Sequence, residues 1–213
     1  MTKQKVWILD DEWFTHDVEM GIYDEHNMEC KVTRSDTVKE DFETFGKYAD
    51  GIVAQIGFPC GADIITELDN CKIIAASGVG FNHIDLDAAS KKGIYVTNMA
   101  DYCIGEVSDH TLALSLTVAR RLRAYNEQVK SLGWNPLDTL PIKRLKGRTV
   151  GLLGFGRIAK EVARKFQVFG VNVIAHDEFV PQESFAEYGV DSVTLDELLE
   201  RADILSLHVP FTE

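Results

Sequence analysis

The segment Thr149-Val-Gly-Leu-Leu-Gly-Phe-Gly-Arg-Ile-Ala159 constrains the fold of this chain more than any other, because a short apolar β-capable run passes straight through closely spaced glycines into a helical pattern. Ile158, Val162, Phe166 and Phe169 recur at helical spacing and predict one apolar helix face, with Gly170 as its stop. Val-Asn-Val-Ile-Ala-His-Asp177 then reads as a second strand ending in an acid. Strand, glycine turn, helix and strand make a parallel βαβ unit built to hold a dinucleotide. Gly154 permits the tight turn, Gly156 lets the backbone approach a pyrophosphate, and Ala159 allows close helix-to-strand packing. The phosphates would rest on the helix N-terminus, where unpaired N–H groups and the dipole favour anions. Asp177 stands where a carboxylate accepts hydrogen bonds from ribose hydroxyls and repels a 2′-phosphate, which favours NAD over NADP; a turn or cap is its plainer role.

Upstream, strands are predicted at Lys5 to Leu9, Gly51 to Gln55, Lys72 to Ala76 and Ile94 to Thr97. Helices are predicted around Val38 to Phe45, Ala62 to Leu68 and Leu86 to Lys92. This alternation is the pattern of a parallel α/β layer, whose ligands bind beyond the carboxyl ends of the strands. Three loops fall there. Asp10 and Asp11 follow the first strand and are candidates for a functional role at its carboxyl end, with helix capping or a solvated loop as the plainer reading. Ser77-Gly-Val-Gly-Phe-Asn-His-Ile-Asp85 is a second glycine loop, able to hold a carboxylate or phosphate on backbone N–H groups or simply to turn, with Asp85 capping the next helix. His83 reads as a packed or capping side chain. The third loop, at Asn98, leads into a long helix with an apolar stripe of Leu112, Leu116, Ala119 and Leu122, and Arg120, Arg121 and Arg123 suit its C-terminus. Ser131 to Pro141 reads as a loop.

Twenty-two Lys and Arg against 34 Asp and Glu leave a net charge of −12, which argues against nucleic acid and anionic membrane surfaces as partners. No apolar run approaches the ~20 residues of a membrane helix, and no signal peptide is present. Cys30, Cys60, Cys71 and Cys103 are scattered without metal-ligand spacing. Reduced thiols, a cytoplasmic location and no metal site are therefore expected.

Four ordered blocks resemble the D-isomer-specific 2-hydroxyacid dehydrogenases: Ser77 to Asp85, Val96-Thr-Asn-Met-Ala-Asp-Tyr-Cys103, Leu145 to Ala159, and Ala202-Asp-Ile-Leu-Ser-Leu-His-Val-Pro-Phe-Thr212. The resemblance runs from about Lys72 to the last residue. Asp101-Tyr-Cys and Glu106-Val-Ser-Asp-His-Thr are similar to the subgroup of phosphoglycerate dehydrogenase and the C-terminal-binding-protein relatives.

The resemblance implies a flavodoxin-like parallel-sheet substrate domain over residues 1–102, lacking its usual C-terminal helix. It implies the N-terminal part of a Rossmann NAD-binding domain over residues 103–213, and a homodimer through the helix near 103–123. The implied activity is hydride transfer between NAD and a D-2-hydroxy or 2-keto acid. Val79 would touch the cofactor, and the Val79 and Gly80 amides would hold the substrate carboxylate. Gly154, Phe155, Gly156, Arg157 and Ile158 would cradle the pyrophosphate, Asp177 the adenosine ribose, and His208, Val209 and Pro210 would line the cofactor cleft; for His208 a plain strand-end role competes. Tyr102 and Phe58-Pro59 are candidates for the substrate side or for packing. The family's catalytic Arg, Glu and His lie in motifs downstream of His-Val-Pro, so no residue here is assigned a catalytic role. The expectation is a fragment, inactive alone, with an apolar strand left at an open edge. A non-catalytic NAD-binding sensor or corepressor-like module, or an inactive truncated product, is the alternative.

Overall fold

The computed structural model describes residues 3–137 and 141–210. The chain divides into two compact units, Met1–Tyr102 and Cys103–Glu213, each with its own sheet and core.

The first unit runs β1 (Lys5–Leu9), α1 (Asp17–Glu25), β2 (Glu29–Thr33), α2 (Val38–Thr44), β3 (Gly51–Ala54), α3 (Ala62–Ile65), β4 (Ile73–Ala76), α4 (Leu86–Lys92) and β5 (Tyr95–Thr97). Its five strands are all parallel, in the order β2-β1-β3-β4-β5. That order reverses direction between β1 and β3, the topological switch point of a flavodoxin-like sheet. Trp7, Leu9, Ile52, Ala54, Ile74 and Ala76 alternate along β1, β3 and β4 onto one face, where they join a buried cluster with Phe45, Ile65, Leu68 and Ala88. A polar chain runs through this core. Trp7 Nε1 donates to Thr33 Oγ1 (2.6 Å), Thr33 donates to Asp41 Oδ2 (2.8 Å), and Lys31 Nζ lies 2.6 Å from Asp41 Oδ1.

The second unit runs α5 (Ile104–Ala119), α6 (Leu122–Lys130), β6 (Thr149–Leu153), α7 (Arg157–Gln167), β7 (Asn172–His176), α8 (Gln182–Glu187), β8 (Asp191–Ser192), α9 (Leu195–Arg201) and β9 (Ile204–Leu207). Its parallel sheet has the order β8-β7-β6-β9, the first four places of the Rossmann order. Val162, Ala163 and Phe166 on α7 are fully buried against Val150, Leu152, Val173 and Ala175. Among the described residues β9 pairs on one side only, with β6, and Leu205 and Leu207 are exposed. Lys165 on α7 fastens α5, its Nζ reaching Ser108 Oγ and Asp109 Oδ1 at 2.6 Å each.

Several expectations are corrected by the structure. The predicted long helix breaks at Arg120–Arg121, where Arg121 adopts φ 56° and caps the start of α6. The arginines therefore straddle a helix break instead of closing one helix C-terminus, and Leu122 is half exposed, outside the apolar stripe. Helix α7 ends at Gln167, so Phe169 lies beyond it, 39% exposed, and Gly170 (φ 67°) turns the chain after the helix has ended. Helix α3 stops at Ile65 and not at Leu68. Of the predicted loop at Ser131 to Pro141, residues 138–140 lie outside the described residues.

Candidate functional site

The second unit builds a glycine cradle at the carboxyl ends of β6, β7 and β9. Gly154 has φ 88°, a conformation that disfavours any side chain, and a Cβ there would stand 2.8 Å from the His208 carbonyl oxygen. Strand ends therefore converge on this turn: the Gly154 amide donates to His176 O (2.8 Å) and the His208 amide to Leu153 O (2.7 Å). Gly156 is the N-cap of α7 without any side-chain cap, and a Cβ there would meet nothing within 4 Å. Gly156 and Arg157 are exposed and Ile158 is half-buried; among the described residues no acceptor meets the amide of Gly156 or Ile158. Open space in front of an uncapped eleven-residue helix is what an anion needs.

Asp177, just beyond β7, is half-buried with both oxygens engaged. Oδ2 accepts from the Phe155 amide (2.7 Å) and Oδ1 from the Phe179 amide (2.9 Å). Each oxygen keeps a lone pair for a further donor. Phe155 takes part in the turn through this amide alone. Its ring is fully buried, stacked on Phe185 at 4.6 Å and edge-on to Tyr188. His208 Nε2 lies 3.0 Å from Ser206 Oγ, and burial pushes its pKa below the ordinary histidine value. Val209 and Pro210 are exposed beside it in sequence. The glycine turn, the open helix end and the strand-end carboxylate together fit a dinucleotide.

In the first unit the loop after β4 carries Val79, half-buried, and Gly80, exposed. Among the described residues neither amide meets an acceptor. Asn98, just past β5, holds the loop from behind: its Nδ2 donates to Val79 O (2.8 Å), while the Met99 amide donates to Gly78 O (3.0 Å). Gln55 ties the loops after β3 and β4, its Oε1 accepting from Ser77 Oγ (2.6 Å) and the Ile56 amide (3.0 Å). Asp85 Oδ1 caps α4 through the Ala88 amide, and His83 Nε2 lies 3.2 Å from Ala54 O, both in the plain roles expected of them. Phe58 belongs to the core, whereas Tyr102 is 58% exposed.

Of the two plain roles expected for Asp10, the structure shows the capping one, on loop amides, and not the solvated loop. Asp10 is 1% exposed and collects the Glu12 and Trp13 amides on its carboxylate. His16 Nε2 sits 2.9 Å from Asp10 Oδ2, off the line of a hydrogen bond, with its ring stacked on Trp13. Asp11 faces solvent and binds Ser35; that hydroxyl and the Ser35 amide lower its pKa. The bonds of Asn98 to Val79 and of Gln55 to Ser77 are not legible in the sequence, because each joins groups about twenty residues apart; the Asp10–His16 contact is local but lies in a turn without periodicity. The cysteines are free thiols, with burial pushing Cys30 up to about 11 and Cys60 up to about 12. No cluster of metal-ligating side chains and no membrane-crossing helix occurs among the described residues.

Residues 112–213 match the family described as D-isomer specific 2-hydroxyacid dehydrogenase, NAD binding domain. The chain belongs to the D-isomer-specific 2-hydroxyacid dehydrogenase family. It is 35% identical to the D-3-phosphoglycerate dehydrogenase of Methanocaldococcus jannaschii over 82% of this chain and 33% of that protein. It is 34% identical to the glyoxylate reductase of Korarchaeum cryptofilum over 78% of this chain and 51% of that one. Among solved structures, D-lactate dehydrogenase from Aquifex aeolicus, complexed with NAD and lactic acid, superposes with a TM-score of 0.84 at 31% identity, over 97% of this chain and 61% of that one. The chain thus spans about a third of the phosphoglycerate dehydrogenases that it matches. The matched description is that of an NAD-binding domain, and the glycine cradle lies within the matched residues.

Proposed function

We propose that this protein is an NAD-dependent oxidoreductase that transfers hydride between the nicotinamide and C2 of a D-2-hydroxy or 2-keto acid. The observation that carries this reading is the Gly154–Gly156 turn on the uncapped end of α7, inside residues that match the NAD-binding domain of that family. Gly156, Arg157 and Ile158 hold the pyrophosphate, Asp177 takes the adenosine ribose, and His208, Val209 and Pro210 line the cofactor cleft. Val79 adjoins the cofactor, and the Val79 and Gly80 amides take the substrate carboxylate. NAD supplies the hydride chemistry when bound; the protein positions and orients.

His208, beside Ser206, serves the cleft by shape. No residue of this span is assigned as the proton donor, and the span alone is proposed to turn over no 2-keto acid. A homodimer through α5 completes the proposal; Val107, Leu114 and Val118 are exposed along that helix.

The deciding experiment supplies the full-length protein with NADH and a panel of 2-keto acids, glyoxylate and hydroxypyruvate included. Steady NADH oxidation is expected with at least one acid. Absence of turnover together with absence of NADH binding would sink the proposal.

A further inference from the structure

We infer that the substrate is a non-phosphorylated 2-keto acid with a small apolar side chain, a conclusion that rests on the Val79–Gly80 loop being the carboxylate seat. The carboxyl ends of the five strands in the first unit meet in the loops 10–16, 34–37, 55–61, 77–85 and 98–102. These loops carry six acids, Asp10, Asp11, Glu12, Asp36, Asp85 and Asp101, and one lysine or arginine, Arg34. Arg34 follows β2, the sheet edge, three spacings of about 4.8 Å from β4. It is also committed elsewhere, with Nη2 donating to Trp13 O at 2.5 Å.

The groups beside the glycine loop have a different character. The Ile56 side chain lies against Gly78, where an added Cβ would collide with its Cδ1. Ile56 and Phe81 are 47% and 41% exposed, so apolar surface flanks the Val79 and Gly80 amides. On the next loop the Glu12 carboxylate lies against Gly57, occupying the place that a side chain there would take. The Gln55 carbonyl is already spent on Ser77 and Ile56.

Backbone amides suffice for one carboxylate. A phosphate adds about two further charges that need cations. Here it would meet Ile56, Phe81 and the Glu12 carboxylate, and like charge at short range is a device for exclusion. An alkyl side chain on C3 would meet the same surface favourably.

The test compares kcat/KM of the full-length protein for 2-ketobutyrate and 3-phosphohydroxypyruvate with NADH. A preference of about 100-fold for 2-ketobutyrate is expected, of the size by which an apolar pocket rejects an added polar group. In the same protein Ile56→Arg should shift the ratio at least tenfold toward the phosphorylated acid. Calorimetric titration of both acids into the complex with oxidised NAD, which has no hydride to give a 2-keto acid, reads the preference without turnover. Faster turnover or tighter binding of 3-phosphohydroxypyruvate overturns the inference and leaves the dehydrogenase reading standing. Selective binding of 2-ketobutyrate without NADH oxidation supports the inference and overturns that reading; binding of neither acid overturns both.

Discussion

Two glycines two positions apart do opposite work. Gly154 is required by its own backbone: φ 88° and the nearby His208 carbonyl leave no place for a methyl group. Gly154→Ala is expected to cost about 1–2 kcal/mol from backbone conformation alone, visible as a lowered denaturation midpoint. Gly156 sits at φ −75°, with open space where its Cβ would stand. Gly156→Ala should leave stability within about 0.5 kcal/mol and weaken NADH binding at least tenfold in a fluorescence titration. Equal effects of the two changes on stability would refute this division. Asp177 carries a second pair of expectations, since it tethers the Phe155 amide and is also proposed to take the ribose. Asp177→Ala should weaken NAD and narrow its advantage over NADP, read as the ratio of the two dissociation constants; unchanged discrimination would leave only the tether.

At the scale of elements, what the sequence made legible follows the strength of its periodicity. β1, α4 and the β6–α7–β7 unit were readable because apolar residues alternate or recur there without interruption, and Asp85 and Gly93 punctuate α4 at both ends. α1 and β2 gave no such signal. α1 has no buried residue and β2, at the sheet edge, is covered only in part, so neither needs a regular apolar pattern. The break between α5 and α6 was hidden because an arginine, not glycine or asparagine, takes the left-handed position. The candidate cradle was legible for the converse reason: Gly154, Gly156 and Asp177 are required by backbone geometry and charge within thirty residues of chain. Asp203 links two strands. It accepts from the Thr149 amide (3.0 Å) and from Arg148 (2.6 Å), and these bonds hold its pKa below the usual carboxylate value. A depressed folded pKa means stability that is present above the unfolded value of about 3.9 and lost as pH falls through the folded one. Asp203→Asn should therefore flatten the acid limb of stability against pH, by about 1 kcal/mol or less because the pair is part-exposed. An acid limb as steep as that of the parent would remove this role. If α5 forms the dimer contact, Val118→Asp, a change at a position 75% exposed, should convert a light-scattering mass of two chains to one.

For the whole molecule, the division at Tyr102 and Cys103 puts a separate apolar core in each unit. Domains with their own cores fold as units. Residues 1–102 carrying Trp13→Phe should therefore unfold cooperatively in urea, with native emission typical of the fully buried Trp7. Water-exposed emission before any denaturant is added would show that this core does not close by itself. Acid should loosen the same unit at Asp41. Burial raises the pKa of that carboxyl, but hydrogen bonds from Lys31, Thr33 and Thr37 outweigh it and leave the value lowered. The second unit differs in one respect. Among the described residues β9 is unpaired on one side, flanked by exposed Leu205 and Leu207. Such an edge recruits whichever extended segment reaches it first. The second unit by itself is therefore expected to self-associate through that edge, read as a light-scattering mass that rises with concentration.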